Sequence, residues 1–112
     1  MSQRSDSDFL SDIQEAIKRI AEYAKNIEYG QFLEDTKTQD AVIRNLEIIG
    51  EATKGLSADF KTKHAQIEWK KLTGLRDKII HHYFGVNWDI VWDVVQHKLP
   101  ELQTQIEGLL RE

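Results

Sequence analysis

The side chains best suited to chemistry stand close together in one short stretch, residues 75–85. Arg76 carries a permanent positive charge on a planar, forked donor that matches the oxygens of a phosphate group. His81 and His82 can accept or donate a proton near neutral pH, and Tyr83 adds a phenol. These residue types together are suited to phosphodiester chemistry without a metal ion. For the stretch on its own, the alternative is an ordinary helix C-terminus whose basic residues complement the helix dipole.

The spacing of these residues limits how they can meet. In an unbroken α-helix, Arg76 and Tyr83 lie about 20° apart, whereas Arg76 and His81 lie about 140° apart. One straight helix therefore cannot direct Arg76 and His81 at the same phosphate. Either the helix ends near His81, as Gly85 permits, or two copies of the chain combine their residues. Asp77 precedes His81 by four residues, within reach to orient its imidazole.

Arg76, Asp77, His81 and Tyr83 together resemble the R-x4-H-x-Y signature of the HEPN superfamily, and more narrowly the HepT group, also known as DUF86. Other segments agree with that group, namely residues 32–35, residues 44–52, Trp69 and residues 83–86. The likeness extends from about residue 9 to about residue 102. Asp77 stands where the group more often has asparagine.

The resemblance implies the toxin of a type VII-like HEPN/MNT toxin–antitoxin system, a metal-independent ribonuclease. Arg76 and His81 match the catalytic pair, which in this family lies at the cleft of a homodimer. It also implies an MntA-type nucleotidyltransferase antitoxin, which would neutralise the toxin by transferring AMP onto Tyr83. ATP and magnesium would belong to that partner, so we expect no cofactor in this chain. On chemical grounds we add Asp77 and His82 as supporting residues, the first orienting His81 and the second donating a proton.

Two other functions fit the same residues. The chain could be a non-catalytic helical adaptor that docks a nucleotidyltransferase and presents its substrate. It could also be a four-helix dimerisation module and nothing more, which a buried salt bridge of Arg76 away from any cleft would support. Replacing His81 with alanine separates the first two, because an adaptor has no ribonuclease activity to lose.

Composition limits the class of protein. A chain of 112 residues without cysteine fits one domain, residues 1–112, that has neither disulfides nor thiolate metal sites. No stretch is apolar enough for a signal peptide or a membrane span, so we expect a cytoplasmic protein. The net charge of −4 disfavours general nucleic-acid binding, yet residues 61–82 carry six Lys or Arg against Glu68 and Asp77. That segment is either a local phosphate-binding surface or an ordinary solvated helix face.

Apolar periodicity predicts an all-α fold, an up-and-down antiparallel four-helix bundle of HEPN type with an additional short C-terminal helix. The predicted helices span about residues 7–29, 38–54, 68–83 and 88–98, then 100–110, which Pro100 opens. Ser7 is the expected N-cap and Gly30 the expected end of the first helix. We expect Phe32, in the connector over residues 31–37, to pack on the bundle. His64, in a loop over residues 56–66, should lie at the surface rather than bind a metal.

Two predicted helices carry features that a bundle core does not need. Arg44, Glu47 and Glu51 form a polar stripe that is either a solvated ion-pair ladder or the lining of a subunit interface or of the cleft that holds Arg76. Gly50, in the middle of the same helix, predicts the close approach of another helix. The helix over residues 88–98 is apolar nearly all round, which predicts burial between protomers.

Overall fold

The computed structural model describes residues 4–80 and 85–111 of the chain. Its regular elements are helices, which confirms the predicted all-α class. They are α1 (Asp6–Tyr23), α2 (Tyr29–Glu34), α3 (Thr36–Gly55), α4 (Ala58–Lys63), α5 (Trp69–Thr73), α6 (Leu75–Ile79), α7 (Trp88–Asp93), a π-helical segment (Val94–Lys98) and α8 (Leu99–Leu110). Within the described ranges, none of these helices is both long and apolar enough to cross a membrane.

The core forms around α1, which packs against α3 and against α8. Each of the three helices buries apolar residues at spacings of three and four, as expected for an amphipathic helix with one face inward. The buried side chains are Leu10, Ile13, Ile17 and Ile20 from α1, Val42, Leu46 and Ile49 from α3, and Leu102, Ile106 and Leu109 from α8. The shorter helices α5 and α6 pack onto α3.

The first helix is shorter than predicted at its C-terminus. Ser5, not Ser7, is its N-cap and accepts a hydrogen bond from the backbone N–H of Asp8 at 3.2 Å. The helix ends at Tyr23, because the chain turns at Asn26, whose φ of 60° belongs to the left-handed region. Gly30, predicted as the stop, lies inside α2 instead.

The connector predicted over residues 31–37 is largely helix α2, and it covers the apolar side of α7. Phe32 is fully buried, as predicted. Its ring centroid lies 5.6 Å from that of Trp88 and 4.9 Å from that of Trp92, and Tyr29 also packs on Trp92 at 5.6 Å. Within one chain Val91 of α7 is buried, whereas the other apolar residues of this helix are only half-buried. The burial of this helix between protomers therefore stays a prediction.

Helix α3 is the longest regular helix, and two glycines let neighbours approach it. Asp35 caps it by accepting from the Thr38 backbone N–H at 3.0 Å and from the Thr38 hydroxyl at 2.6 Å. A Cβ on Gly50 would lie 3.4 Å from the carbonyl oxygen of Leu72, which confirms the predicted close approach of another helix. A Cβ on Gly55 would lie 2.4 Å from the Phe9 ring, so glycine is required for α1 to pack there as it does.

The helix predicted over residues 68–83 is broken into α5 and α6, and it ends at Ile79. Gly74 separates the two pieces. Ile80 is extended, with φ −111° and ψ 118°, and pairs with Val86 in an isolated antiparallel bridge. The backbone N–H of Asn87 donates to the Ile79 carbonyl at 2.7 Å. The helix therefore stops before these backbone contacts, although the apolar periodicity predicted that it would continue.

The two helices predicted at the C-terminus are one continuous helical run over residues 88–110. Asn87 is the N-cap, as predicted, and its side chain accepts from the Ile90 backbone N–H at 3.2 Å. Pro100 lies in the first turn of α8, directly after the π-helical segment. The helix continues through Pro100 because the regular i→i−4 hydrogen bonding is already interrupted there by the π turn.

His64 is buried, with 7% of its surface exposed, so the prediction that it lies at the surface was wrong. Its ring packs 4.5 Å from the ring of Phe60, measured between centroids. Its carbonyl oxygen accepts a hydrogen bond from the indole N–H of Trp69 at 3.0 Å. The surrounding residues are polar in sequence, and the burial comes from the contact of α4 with Trp69.

Candidate functional site

Helix α6 presents three consecutive charged side chains to solvent. Leu75 and Ile79, one turn apart, are buried and fix this five-residue helix to the core. Arg76, Asp77 and Lys78 lie between them on the exposed side. The sequence folds this way because the two apolar residues share one face, which leaves the polar residues outward.

Arg76 points toward α3, where its Nε lies 3.9 Å from Oε2 of Glu47. The side chains of Arg76 and Glu47 are 65% and 37% exposed, respectively. Such an exposed pair is weak, so the guanidinium can exchange Glu47 for a phosphate group at little cost. The buried salt bridge that would have supported a purely structural role for Arg76 is not what the described residues show.

A groove of about 340 Å³ runs beside Glu47, between α3 and the N-terminal part of α1. The predicted polar stripe of Arg44, Glu47 and Glu51 lines it, so the stripe borders a concave surface next to Arg76. Arg4 and Asp12 line the opposite wall and form an ion pair of 2.6 Å. Sequence reasoning missed these two, because Arg4 precedes the first helix and no local pattern links it to α3.

His81, His82 and Tyr83 lie outside the residues that the structure describes, so their distances from Arg76 stay predictions. The described residues on either side of the motif still test part of the predicted geometry. Because α6 ends at Ile79, the angles derived for one unbroken helix do not apply. The first of the two predicted alternatives, a helix that ends near His81, is the one observed. The 20° angle between Arg76 and Tyr83 assumed the same unbroken helix, and the position of Tyr83 lies outside the described residues.

Gly85 is the first described residue after the motif, and its φ of +87° lies in the left-handed region that favours glycine. Ile80 and Val86, which pair as a bridge, bring the two flanks of the motif together. Asp77, predicted to orient His81, is exposed on α6, two residues before the helix ends.

Across residues 4–80 and 85–111, no three His, Cys, Asp or Glu side chains are grouped so that they could hold a metal ion. The described residues do provide an accessible Arg76 guanidinium beside the Glu47 carboxylate, which suits the binding of a phosphate group in exchange for that carboxylate.

Comparison with known proteins adds to this geometry. The family model described as "Ribonuclease HepT-like" matches residues 13–109, most of the chain. The chain belongs to the ribonuclease HepT-like family. This confirms the resemblance that the sequence motif predicted.

Two relatives of this HepT-like chain show how far the similarity reaches. It is 48% identical over 106 residues to a Thermococcus cleftensis protein named "Probable ribonuclease HepT", covering 95% of this chain and 96% of the relative. It is 32% identical over 130 aligned positions to the "mRNA nuclease HepT" of Shewanella oneidensis, covering 92% and 94% of the two chains. No solved structure matches the chain significantly. The HepT-like match includes Glu47, Arg76 and the whole predicted motif.

Proposed function

We propose that this HepT-like protein is a toxin ribonuclease that cleaves RNA without a metal ion, using Arg76 and His81. The observation that carries the proposal is the position of Arg76. It is an exposed guanidinium on a helix fixed to the core, in contact with Glu47 of the groove and five residues before the proposed catalytic histidine in sequence. Membership in a family of ribonucleases supports the same reaction.

The reaction begins when His81 takes the proton of a ribose 2′-hydroxyl. The 2′ oxygen then bonds to the adjacent phosphorus while the bond from phosphorus to the 5′ oxygen breaks. Arg76 stabilises the additional negative charge on the phosphate oxygens in the transition state. His82 returns a proton to the leaving 5′ oxygen. The products are a 2′,3′-cyclic phosphate and a 5′-hydroxyl, and DNA is not cut because it lacks the nucleophile.

Glu47 acts in this scheme as a positioning residue for Arg76. At 3.9 Å it is close enough to hold the guanidinium beside α3, yet exposed enough to release it when a phosphate arrives. Asp77, on the same helix as Arg76, would orient the imidazole of His81. Both carboxylates therefore act through other side chains and do not touch the reacting atoms.

The proposal includes two partners that the resemblance implies. The first is a second copy of the chain, so that two motifs converge at a homodimer cleft. The second is a nucleotidyltransferase antitoxin that adenylylates Tyr83 and so places a phosphate and a base in the cleft. Intact mass after co-expression tests the second, with gains of one or more AMP groups that disappear in Tyr83→Phe. An unchanged mass in an active pairing would contradict it.

The decisive experiment is RNA cleavage by the purified protein with and without EDTA. We expect cleavage to persist in EDTA and to leave 2′,3′-cyclic phosphate ends. Arg76→Ala should lower the rate about 10²–10³-fold, and His81→Ala about 10²–10⁴-fold. Arg19→Ala is the matched control, because Arg19 is an exposed arginine on α1 that pairs with Glu15 at 3.1 Å.

Two outcomes would contradict the nuclease proposal. Loss of RNA cleavage in EDTA would show that the reaction needs a metal ion. Equal cleavage rates for Arg76→Ala and the wild type would show that Arg76 is not part of the active site. If no cleavage occurs while binding to the nucleotidyltransferase persists in His81→Ala, the protein is the helical adaptor instead.

A further inference from the structure

The side of α6 opposite Glu47 carries a second charged surface that the catalytic scheme does not use. Lys78 follows Arg76 by two residues, which places it about 200° around the helix axis. Arg76 contacts α3, whereas Lys78 lines a groove between α5–α6 and the C-terminal helical run. The two faces of one short helix thus border two different depressions.

This groove has a volume of about 490 Å³, an apolar floor and a charged rim. Its floor is aliphatic and mostly buried, formed by Ile67, Leu72, Leu75, Val94, Leu99 and Leu102. Its rim carries Lys71, Lys78 and Lys98, together with Glu68 and Glu101. An apolar floor within a cationic rim suits a ligand with flat apolar groups and negative charges.

A second groove of about 490 Å³ adjoins the first and shares Ile67, Glu68 and Lys71 with it. It adds Lys61 and Lys70. We call the two together the lysine grooves. Their lining contains five lysines and two glutamates, although the whole chain has a net charge of −4. The positive charge is therefore concentrated on this surface.

The charges on this surface are only partly neutralised within the chain. Lys71 pairs with Glu68 at 2.7 Å. The hydrogen bond from Lys71 and the charges of Lys71 and Lys98 lower the pKa of Glu68. The Glu68 carboxylate is therefore ionised and is already paired with Lys71. In the described part of the chain, no carboxylate lies within ion-pair distance of Lys70, Lys78 or Lys98. These three lysines are available for an external anion.

The π-helical segment Val94–Lys98 forms one wall, with Val94 in the floor and Lys98 on the rim. A π turn is less stable than a regular α turn and occurs frequently at functional sites. Its position at this groove agrees with a binding role for the surface and is independent of charge.

We propose that the lysine grooves bind single-stranded RNA that flanks the cleaved linkage. The inference rests on the proposed ribonuclease function and extends it to the part of the substrate that is not cut. Flexible lysines contact phosphates without reading sequence, and the aliphatic floor can remove the apolar face of a base from water. A helix with its side chains is about 10–12 Å across. A strand that crosses α6 therefore connects Lys78 with Arg76 within a few nucleotides.

The test uses binding rather than cleavage, in the full-length His81→Ala variant, with labelled single-stranded RNA of about 12 nucleotides and of about 3 nucleotides. Adding Lys78→Glu and Lys98→Glu should weaken binding of the longer RNA about tenfold or more. The slope of log affinity against log salt should fall by about 1.4, which is the loss of two phosphate contacts. Binding of the short RNA should change less than about twofold, because it does not extend beyond Arg76.

The matched control adds Lys18→Glu and Lys25→Glu, which reverse two exposed lysines outside the grooves and change the net charge equally. We expect less than about a twofold effect on either RNA. A milder variant, Lys78→Gln with Lys98→Gln, gives the same ranking if charge reversal disturbs the fold, which thermal melting monitors. Equal loss in the control, or equal loss for both RNA lengths, would overturn the proposal.

The main competing occupant is an acidic protein partner. If charge reversal abolishes association with the nucleotidyltransferase while binding of the longer RNA is unchanged, the grooves dock that partner and the proposal is wrong. The result is separate from the nuclease proposal. A wild-type protein that binds the longer RNA through Lys78 and Lys98 but never cleaves it would sustain this inference and refute the catalytic one.

Discussion

Helix α3 and the α5–α6 segment contribute to the same surface in opposite ways. α3 runs for 20 residues, is capped by Asp35 and supplies Glu47 from a regular position on its outer face. α5 and α6 have five residues each, lack a side-chain cap and supply Arg76 just before the helix ends. The long helix fixes the geometry of the groove, and the short one brings the reactive residue to its edge.

The difference has an energetic basis. A helix of five residues is not stable alone in water, because nucleation costs more than one turn of hydrogen bonds returns. α6 therefore depends on the burial of Leu75 and Ile79, whereas α3 has a full apolar stripe along its length. The position of Arg76 is determined by a few core contacts, and the position of Glu47 by many.

The largest expected effect comes from removing one such contact in each region. Ile79→Ala in α6 and Ile49→Ala in α3 both truncate fully buried side chains. Each should lower the free energy of unfolding by about 2–5 kcal/mol. At a temperature where both variants are folded, Ile79→Ala should lose far more RNA cleavage, because it loosens the helix that holds Arg76. Urea melts measure the loss of stability, and cleavage rates measure the loss of activity. Equal losses of activity in the two variants would show that α6 holds Arg76 no more directly than α3 does.

The next effect tests how the chain leaves α6. Gly85→Ala forces an alanine into a left-handed conformation and should cost about 1–2 kcal/mol. Gly30→Ala is the control, because Gly30 lies inside α2 with open space around its Cβ position. The control should be neutral or stabilising by up to about 1 kcal/mol. Thermal melts compare the two, and similar values would show that the backbone at Gly85 is not constrained.

A smaller effect is expected where the two regions touch. Glu47→Gln should change the free energy of unfolding by less than about 0.5 kcal/mol, since the pair with Arg76 is exposed and long. It should nevertheless lower kcat, by roughly threefold to tenfold, with little change in KM, because Arg76 loses its positioning partner. Glu15→Gln is the control, since Glu15 is exposed on α1, lies outside the lining of the groove and pairs with Arg19 at 3.1 Å. An unchanged kcat in Glu47→Gln would remove Glu47 from the site.

The smallest effect distinguishes the capped helix from the uncapped ones. Hydrogen bonds from the Thr38 hydroxyl and backbone lower the pKa of Asp35 below its ordinary 3.8. The stabilisation from ionised Asp35 is present above its unfolded pKa and is lost as pH falls through the folded value. Asp35→Asn should therefore flatten the decline in melting temperature below about pH 4 without altering cleavage. If the melting temperature declines equally with falling pH in both proteins, the ionisation of Asp35 does not contribute to stability.

The sequence predicted the helices that are regular and missed those that depend on distant contacts. The stripes of α1 and α3 follow one amphipathic period, so their existence was evident. Trp69, Leu72, Leu75 and Ile79 follow the same period, yet Gly74 and the pairing of Ile80 with Val86 interrupt the helix. A backbone bridge between residues six apart leaves no mark on the apolar periodicity, and neither does the burial of His64.

The candidate site was predicted in part for the same reason. The exposure of Arg76 and its proximity to the polar stripe of α3 agree with expectation. Arg4 and Asp12 could not be found, because their proximity to α3 depends on how α1 packs. The roles of His81, His82 and Tyr83 stay predictions that rest on the motif.

The π turn at Val94–Lys98 has a consequence for how this chain can change in length. A π turn holds one residue more than an α turn along the same path. Deleting one residue there would be absorbed by rewinding into ordinary α-helix, with α7 and α8 keeping their orientations. The same deletion elsewhere in residues 88–110 would rotate everything downstream by about 100° and bring polar side chains into the core. Insertions and deletions in related sequences should therefore accumulate at this single turn.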